Sequence, residues 1–448
     1  MDFNTRYAKL NNNQRQAVDY IHGSLLVIAG PGTGKTELLS MRTAQILRQT
    51  DTLPNSILCL TFTESGATNM RQRLRQIIGE DAYKIAIHTF HSFGTEIINQ
   101  HREYFFRGAD SQPVDELTQY QIISGILEDL DWRNPLSTKN NGEFVYIKEL
   151  IRIISEFKQS GLTPSELRAI IEDNQSTIAE IAPDIQQVFS AKISKKTIEM
   201  FAPIAEKIAN LAAKNSDEKN SKLPASITPY ANVLALSIAH AAQEAIDENS
   251  TKPLTAWKNK WCEKNANGEF VLKDFTAAEK LSAAIDVYEK YVNILSERSL
   301  FDYDDMILSV IQACESHPEL RANLQEQFQF IMVDEFQDTN LAQLRLLFNL
   351  TSENDDNPNI MAVGDDDQAI FSFQGADVGN IQRFRQHYHD PKIIVLTDNY
   401  RSAENILSSA RDVITQGSDR LENTIDGLSK QLTAHANSEG SKVEIQEF

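Results

Sequence analysis

Over the first hundred residues, short apolar runs alternate with polar stretches of helical spacing. SLLVIAG (24–30) has the unbroken apolar character of a strand buried on both faces. A glycine-rich turn follows it, then a helix from Lys35 to about Arg48. SILCLTF (56–62) predicts a second strand, with a helix through MRQRLRQII behind it, and KIAIHTF (84–90) predicts a third. Strand–helix alternation of this kind implies crossover units and a parallel sheet. From about 108 to 295 the spacing turns mostly helical: Ile147, Leu150, Ile151, Ile154 and Phe157 share one face, as do Leu281, Ile285, Tyr288, Val292 and Leu295. The polar stretches KNSDEKNSK (214–222) and DENSTKP (247–253) predict exposed loops. Strand signals return in FIMVDE (330–335), NIMAVGD (359–365) and KIIVLTD (392–398). The simplest architecture is an α/β domain with a parallel sheet, its sequence split by a large helical insertion.

A chain of 448 residues exceeds what one hydrophobic core organises, so at least two domains are expected. Apolar residues at 41% and charged residues at 24% exclude a disordered, collagen-like or disulfide-scaffold protein. The 43 basic and 63 acidic side chains give a net charge of −20, which argues mildly against a nucleic-acid partner. The charge is uneven, however: residues 1–108 hold 12 basic against 9 acidic side chains, and patches decide binding. Three cysteines, Cys59, Cys262 and Cys314, are too few for a four-thiolate metal site and suit a reducing compartment. No window approaches the ~18 apolar residues of a membrane span, and MDFNTRYAKL has no secretion-signal core. A soluble, cytoplasmic protein without membrane partners is expected.

The strongest local signal is Ala29-Gly30-Pro31-Gly32-Thr33-Gly34-Lys35-Thr36. It closes a predicted strand and opens a predicted helix, the context a phosphate-binding loop requires. Its glycines let backbone N–H groups turn inward around phosphate oxygens, and the helix amino terminus adds partial positive charge. Lys35 would reach the β- and γ-phosphates and the Thr36 hydroxyl would hold Mg²⁺. The slot that usually carries the first glycine is Ala29, ahead of the tight part of the loop. A second acidic strand end, Ile331-Met332-Val333-Asp334-Glu335, lies 299 positions beyond Lys35. Asp334 could order Mg²⁺ through its water shell, and Glu335 could take a proton from the attacking water. The long gap is what the helical insertion accounts for. A third acidic strand end is Val363-Gly364-Asp365-Asp366-Asp367-Gln368. Its three carboxylates would repel one another unless solvent or a cation screens them. Gln368 is the member to aim at the γ-phosphate and attacking water, with Asp366 and Asp367 expected in a charged loop over the sheet edge.

The motif order resembles the UvrD/PcrA/Rep group of superfamily 1 DNA helicases, from near the start to about residue 410. Leu10-Asn11, Gln14 and Ala17-Val18 resemble the Q motif, and Ala29–Thr36 resembles motif I. Leu60-Thr61-Phe62-Thr63 with Ala67, Met70 and Arg71 resembles motif Ia, and His88-Thr89-Phe90-His91-Ser92 resembles motif Ib. Phe301–Asp305 is similar to the segment preceding motif II, Val333–Asn340 to motif II, Gly364–Gln368 with Ile370 to motif III, and Asn399-Tyr400-Arg401-Ser402 to motif IV. The resemblance implies a RecA-like P-loop NTPase domain (1A) at 1–107 and 296–410, a 1B-like insertion at 108–295, and the start of a second RecA-like domain (2A) at 411–448. It implies ATP and Mg²⁺ as cofactors, single-stranded DNA and single/double-strand junctions as partners, 3′-to-5′ movement and a nucleoid-associated location. Gln14 would read the adenine edge, Tyr400 would stack on the base and Arg401 would act as an arginine finger. Phe62, Thr89, Phe90, His91 and Phe373 would line a single-stranded DNA groove, where stacking tolerates any sequence.

The departures from the family pattern carry their own expectations. Glu37 stands where close relatives carry an arginine that sandwiches adenine, and a carboxylate there predicts weaker nucleotide binding. Phe371, Phe373 and Gln374 replace the usual Tyr, Trp and Arg of motif III, which predicts damped stimulation by DNA. Ile154–Pro164 (ISEFKQSGLTP) resembles the helix and turn of the 1B domain, while 165–295 matches nothing in it. The chain ends some fifty residues past motif IV, without motifs V and VI, so a truncated motor is expected, with SKVEIQEF as a first strand of the missing domain. The alternatives are an ATP- and DNA-binding module with little turnover of its own, a RecB/AddA-type helicase–nuclease fragment, and an NTPase switch, against which motifs Ia and Ib tell.

Overall fold

The computed structural model describes residues 3–105, 111–190, 193–194, 198, 201–215, 227–273, 279–351, 357–369, 379–389, 391–417, 420–425 and 427–435. The described residues form two compact units, one drawn from Met1–Pro113, Lys158–Gly161 and Ser299–Phe448, the other from Val114–Phe157 and Leu162–Arg298.

The first unit is built on six strands: β1 (Leu25–Ala29), β2 (Ile57–Thr61), β3 (Ala86–Thr89), β4 (Phe330–Val333), β5 (Ile360–Gly364) and β6 (Lys392–Leu396). They lie in the order β6-β1-β5-β4-β2-β3, every neighbouring pair parallel. β1, β2, β4 and β5 are buried throughout, as unbroken apolar runs in a sheet covered on both faces require. Alternate residues serve opposite layers. Leu25, Val27, Cys59, Met332 and Val363 pack with Leu38, Met41 and Ala44 of the Lys35–Gln49 helix and Met70 and Leu74 of the Glu64–Ile78 helix. Leu26, Ile28, Leu60, Ile331 and Ala362 pack with Phe93 and Ile97 of the Phe90–Gln100 helix and with the Tyr303–Ser316 and Leu341–Leu350 helices. The expected α/β fold is therefore present, with β4 and β5 threaded between β1 and β2 although some 270 residues separate β2 from β4 in sequence. All six carboxyl ends point to one rim, where ligands of such sheets bind.

The second unit is mostly helical. Its core joins Ile181, Ile185 and Phe189 of the Pro164–Phe189 helix to Phe201, Leu234, Ile238 and Trp257, and the Trp257 indole donates to Ser237 Oγ at 2.9 Å. The predicted faces are buried at Ile147, Leu150 and Ile154, and at Ile285, Tyr288 and Leu295. The loop expected at 247–253 lies between helices ending at Asp247 and starting at Lys252, whereas that at 214–222 falls mostly outside the described residues, as does all of SKVEIQEF. All three cysteines are buried and unpaired, and burial pushes each thiol up to about 12, which leaves them unreactive. No described helix is long and apolar enough to cross a membrane.

Candidate active site

The turn after β1 owes its shape to two glycines, Gly32 (φ +71°) and Gly34 (φ +87°), in backbone regions that side chains resist. Thr33 Oγ1 donates to the Gly30 carbonyl at 2.7 Å and closes the loop, and Lys35 and Thr36 open the helix. Lys35 Nζ reaches across the rim to Glu335 Oε2 at 2.6 Å and lies 3.5 Å from Gln368 Oε1. Three residues spread over more than 330 positions thus converge on one spot at the ends of β1, β4 and β5. Glu335 itself has φ +49° and ψ +46°. A left-handed non-glycine residue costs roughly 1–2 kcal/mol, and here that backbone turns the carboxylate from the strand end toward the lysine. Asp334, the preceding residue, is half-buried; desolvation first and the charge of Glu335 second push its carboxyl up to about 6.

A side chain without an expected role ties this cluster together. Gln337 is 2% exposed. Its Nε2 donates to Glu335 Oε2 and to Asp338 Oδ2, both at 3.0 Å, while its Oε1 accepts from the Asp365 amide at 3.0 Å. It therefore couples the β4 end to the β5 end. Its sequence signal is its place within Val333–Asn340, two residues after Glu335.

The chain after β6 rests directly on the phosphate loop. Asn399, fully buried, donates from Nδ2 to the Pro31 carbonyl and accepts at Oδ1 from the amides of Arg401 (2.8 Å) and Ser402 (2.7 Å). The Tyr400 amide donates to the Gly32 carbonyl at 3.0 Å. A Cβ on Gly32 would come within 2.7 Å of Asn399 Nδ2 and 2.8 Å of Arg401 Cβ, so glycine is required here for close approach as well as for its φ. Arg401 is exposed, and its guanidinium has no hydrogen-bond or ion-pair partner among the described residues. Tyr400 stacks on His435 (5.4 Å between centroids), and its hydroxyl accepts from Asn11 Nδ2 at 3.1 Å. Gln14 donates from Nε2 to the Thr33 carbonyl at 2.9 Å and accepts at Oε1 from the Asn11 amide at 3.1 Å. Both ends of its amide are thus engaged with backbone, and through them it buttresses the phosphate loop.

Residues 10–192 and 174–389 match the family described as the UvrD/REP helicase N-terminal domain. The chain belongs to the UvrD/REP helicase family. It is 28% identical over 444 residues to the ATP-dependent DNA helicase PcrA of Staphylococcus epidermidis, covering 99% of this chain and 44% of that protein. To the DNA helicase II of Rickettsia typhi it is 27% identical over 425 residues, 93% of this chain and 46% of that one. The Staphylococcus aureus PcrA matches at 27% over 411 residues, 92% and 40% respectively. The chain thus spans about half the length of these curated relatives.

Within this UvrD/REP-family chain the expected DNA-contacting residues do not all face outward. Thr61 of β2 is register-paired with Thr89 of β3, so Phe62 and Phe90 both stand one residue past the rim. Phe62 is half-buried there. Phe90 is not available to a base: it is 2% exposed and packs in the core beneath the sheet. Its apolar ring opens a helix whose inward face needs it. Thr89 caps that helix by accepting from the Ser92 amide at 3.2 Å and donates to Glu64 Oε1 at 2.9 Å, so its hydroxyl is occupied by protein. His91 lies edge-on to Tyr303, which is 69% exposed, and burial holds the imidazole below its ordinary value, hence uncharged at neutral pH. Phe373, like Phe371 and Gln374, lies outside the described residues.

Two further expectations of this family chain need correction. Asp366 and Asp367 do not form a solvated loop over the sheet edge; Asp366 is buried and Asp367 half-buried, both in ion pairs with Lys430, and Asp367 also with Arg420. Glu37 is no lone anion beside the phosphate loop. It accepts from Arg6 Nη1 at 2.8 and 3.0 Å and from Arg73 at 3.1 Å, so its charge is already matched.

Proposed function

We propose that this chain is the ATP-binding portion of a DNA helicase that hydrolyses ATP to move 3′ to 5′ on single-stranded DNA. The observation that supports this most is the convergence of Lys35 with Glu335 and Gln368, at 2.6 and 3.5 Å. An incoming triphosphate would draw the Lys35 ammonium onto its β- and γ-oxygens and release the Glu335 carboxylate to face the attacking water as general base. Gln368 would orient that water, and the exposed Arg401 guanidinium would meet charge growing on the transferred phosphoryl group. Tyr400 would exchange His435 for the adenine ring, and Gln14 would turn from the loop backbone to the adenine edge. Phe62, Thr89, His91 and Phe373 are proposed for the DNA groove, at single/double-strand junctions as well as along single strands. Residues 1–107 and 296–410 are read as motor domain 1A, 108–295 as a 1B-like insertion and 411–448 as the approach to a second motor domain.

The donor set fits Mg²⁺ arriving with ATP. Among the described residues no group of three or more His, Cys, Asp or Glu could hold a metal unaided. The Asp334 carboxylate and the Thr36 hydroxyl offer hard oxygen donors of the kind Mg²⁺ shares with phosphates and water. Bound there, the ion would neutralise charge on the β- and γ-phosphates. Burial has already raised the Asp334 carboxyl to about 6, so its ionised form gains from a cation.

Steady-state hydrolysis by the 448-residue chain, with and without single-stranded DNA, tests the reading. Turnover raised by DNA is expected, and Glu335→Gln should cut it by about 10²–10⁴-fold while sparing binding of a fluorescent ATP analogue. Tight nucleotide and DNA binding without measurable wild-type hydrolysis would replace this reading with that of a binding module. Fast hydrolysis indifferent to DNA would point to an NTPase switch.

A further inference from the structure

We infer that Lys430, remote in sequence from every nucleotide motif, is a positioning residue for ATP hydrolysis that acts through Asp365 on Gln368. The Lys430 ammonium donates to Asp366 Oδ1 at 2.6 Å and Asp365 Oδ1 at 3.1 Å and lies 2.7 Å from Asp367 Oδ2. It thus has three carboxylates for its three N–H donors, and its side chain is 5% exposed. The second oxygen of Asp365 accepts from Gln368 Nε2 at 2.8 Å, and the Gln368 amide N–H returns to the Asp365 carbonyl at 2.9 Å. That pair of bonds fixes the Gln368 side-chain amide with Oε1 toward Lys35. One Asp365 carboxylate therefore holds the lysine on one oxygen and the glutamine on the other.

The cation is what lets this arrangement exist. Asp365, Asp366 and Asp367 are consecutive, and without a counter-charge their mutual repulsion would splay the turn that carries Gln368. Burial alone would lower the Lys430 ammonium, but the carboxylates outweigh it and hold the group above its ordinary value, firmly charged. Arg420 completes the neutralisation with a bidentate contact to Asp367, 2.8 Å on both oxygens, and the Leu421 amide donates to Asp366 Oδ2 at 2.9 Å. Arg420 also pairs with Glu422, which accepts from the Lys430 amide and pairs with Arg411 on the helix after the Asn399–Ser402 turn. Arg420, Leu421 and Lys430 are consequently clamped to the β5 end, and any movement of them is transmitted to Gln368 through charged contacts. Residues 433–434 pair in parallel with Asp398–Asn399, so the same segment also touches the strand end that braces the phosphate loop.

This inference rests on the reading of Gln368 as the residue facing the γ-phosphate, and the test separates the two. In the 448-residue chain, Lys430→Met is expected to lower kcat about 10–100-fold, as displacement of a group by ~1 Å does, with the Kd for a fluorescent ATP analogue changed less than about twofold. Lys430→Arg, which keeps the charge, should restore kcat to within about fivefold of wild type. In a Gln368→Ala background Lys430→Met should add no further loss, because the two act in series. Additive losses, or an unchanged kcat in Lys430→Met, would overturn the inference even though Glu335→Gln abolishes turnover. If Gln368→Ala alone leaves kcat intact, the reading of Gln368 fails instead, and the inference with it. Should Lys430→Met melt below the assay temperature, Asp365→Asn probes the same link from its other end: the same split between kcat and Kd is expected, and an unchanged kcat there overturns the inference.

Discussion

At the rim of the sheet Lys35 faces a single carboxylate whose side chain is 37% exposed; in the socket under the β5 end Lys430 faces three whose side chains are 4%, 2% and 16% exposed. The shortest contact of each ammonium is 2.6 Å, so that distance does not distinguish them. What differs is whether the partner can leave. Glu335 can return to water when a phosphate takes its place, whereas Asp365 and Asp366 have nowhere to go. A lysine meant to be handed to a ligand has one exchangeable partner; a lysine meant to hold structure has as many acceptors as donors. Lys158 is likewise held in place, fully buried between Asp302 and Asp305 at 2.6 Å each.

The contrast breaks most visibly at Lys35. Lys35→Ala should weaken binding of an ATP analogue about 10²–10³-fold, about 3–4 kcal/mol, in a fluorescence titration. Its melting temperature should stay within about 2 °C of wild type, because the carboxylate left behind is open to solvent. A large drop in stability would mean that the rim pair is structural after all.

At Lys158 the outcome should reverse. Lys158→Met leaves two half-buried carboxylates facing each other and should cost about 3 kcal/mol of stability, roughly 6–12 °C in a unit of this size. Burial already pushes Asp305 upward, so the penalty should shrink as pH falls and that carboxyl takes a proton. A melt at pH 5 beside one at pH 8 checks both statements.

Asp334 sharpens the comparison from the anionic side. Its carboxyl is raised to about 6 in the folded chain and sits near 4 when unfolded. Between those values the folded protein holds a proton that the unfolded chain has lost, so stability falls as pH rises through the window. Above pH 6 the ionised group costs about 3 kcal/mol. Asp334→Asn should therefore raise the melting temperature at pH 8 by several degrees, with the gain fading toward pH 4, and should abolish hydrolysis. A stability gain won by losing a reactive group is what a site strained for function predicts.

The strands and the phosphate loop were legible because their signals are local: LLVIA is apolar without a break, and the glycines at 32 and 34 stand directly before Lys35. The convergence of Glu335 on that loop was legible only because a phosphate loop calls for a second acidic strand end, since the helical periodicity of the intervening positions says nothing of what they bring together. The partners of Lys430 and Lys158 were not legible at all. Contacts 64 and 144 residues apart in sequence leave no trace in composition or spacing, and a lysine among polar residues looks like any surface lysine. Phe90 was misjudged for a related reason. An aromatic residue at a strand end fits a stacking platform and a core equally well, and only the helix it opens decides for the core.

The smallest effect is expected at Glu37, where wording alone pointed to a weakened nucleotide site. The carboxylate accepts from both Arg6 and Arg73, and Arg6 also donates to Gln76 at 2.6 Å, so two guanidiniums and one carboxylate leave that corner with a net positive charge. The phosphate loop accordingly meets no uncompensated anion. Glu37→Gln should change the Kd for an ATP analogue less than about threefold, because partly exposed pairs of this kind are worth under ~1 kcal/mol. Glu37→Arg would gather three guanidiniums, and should lose about 1 kcal/mol of stability without tightening nucleotide binding. A tenfold gain in affinity from that arginine would instead show that the missing cation, and not the paired carboxylate, limits the site.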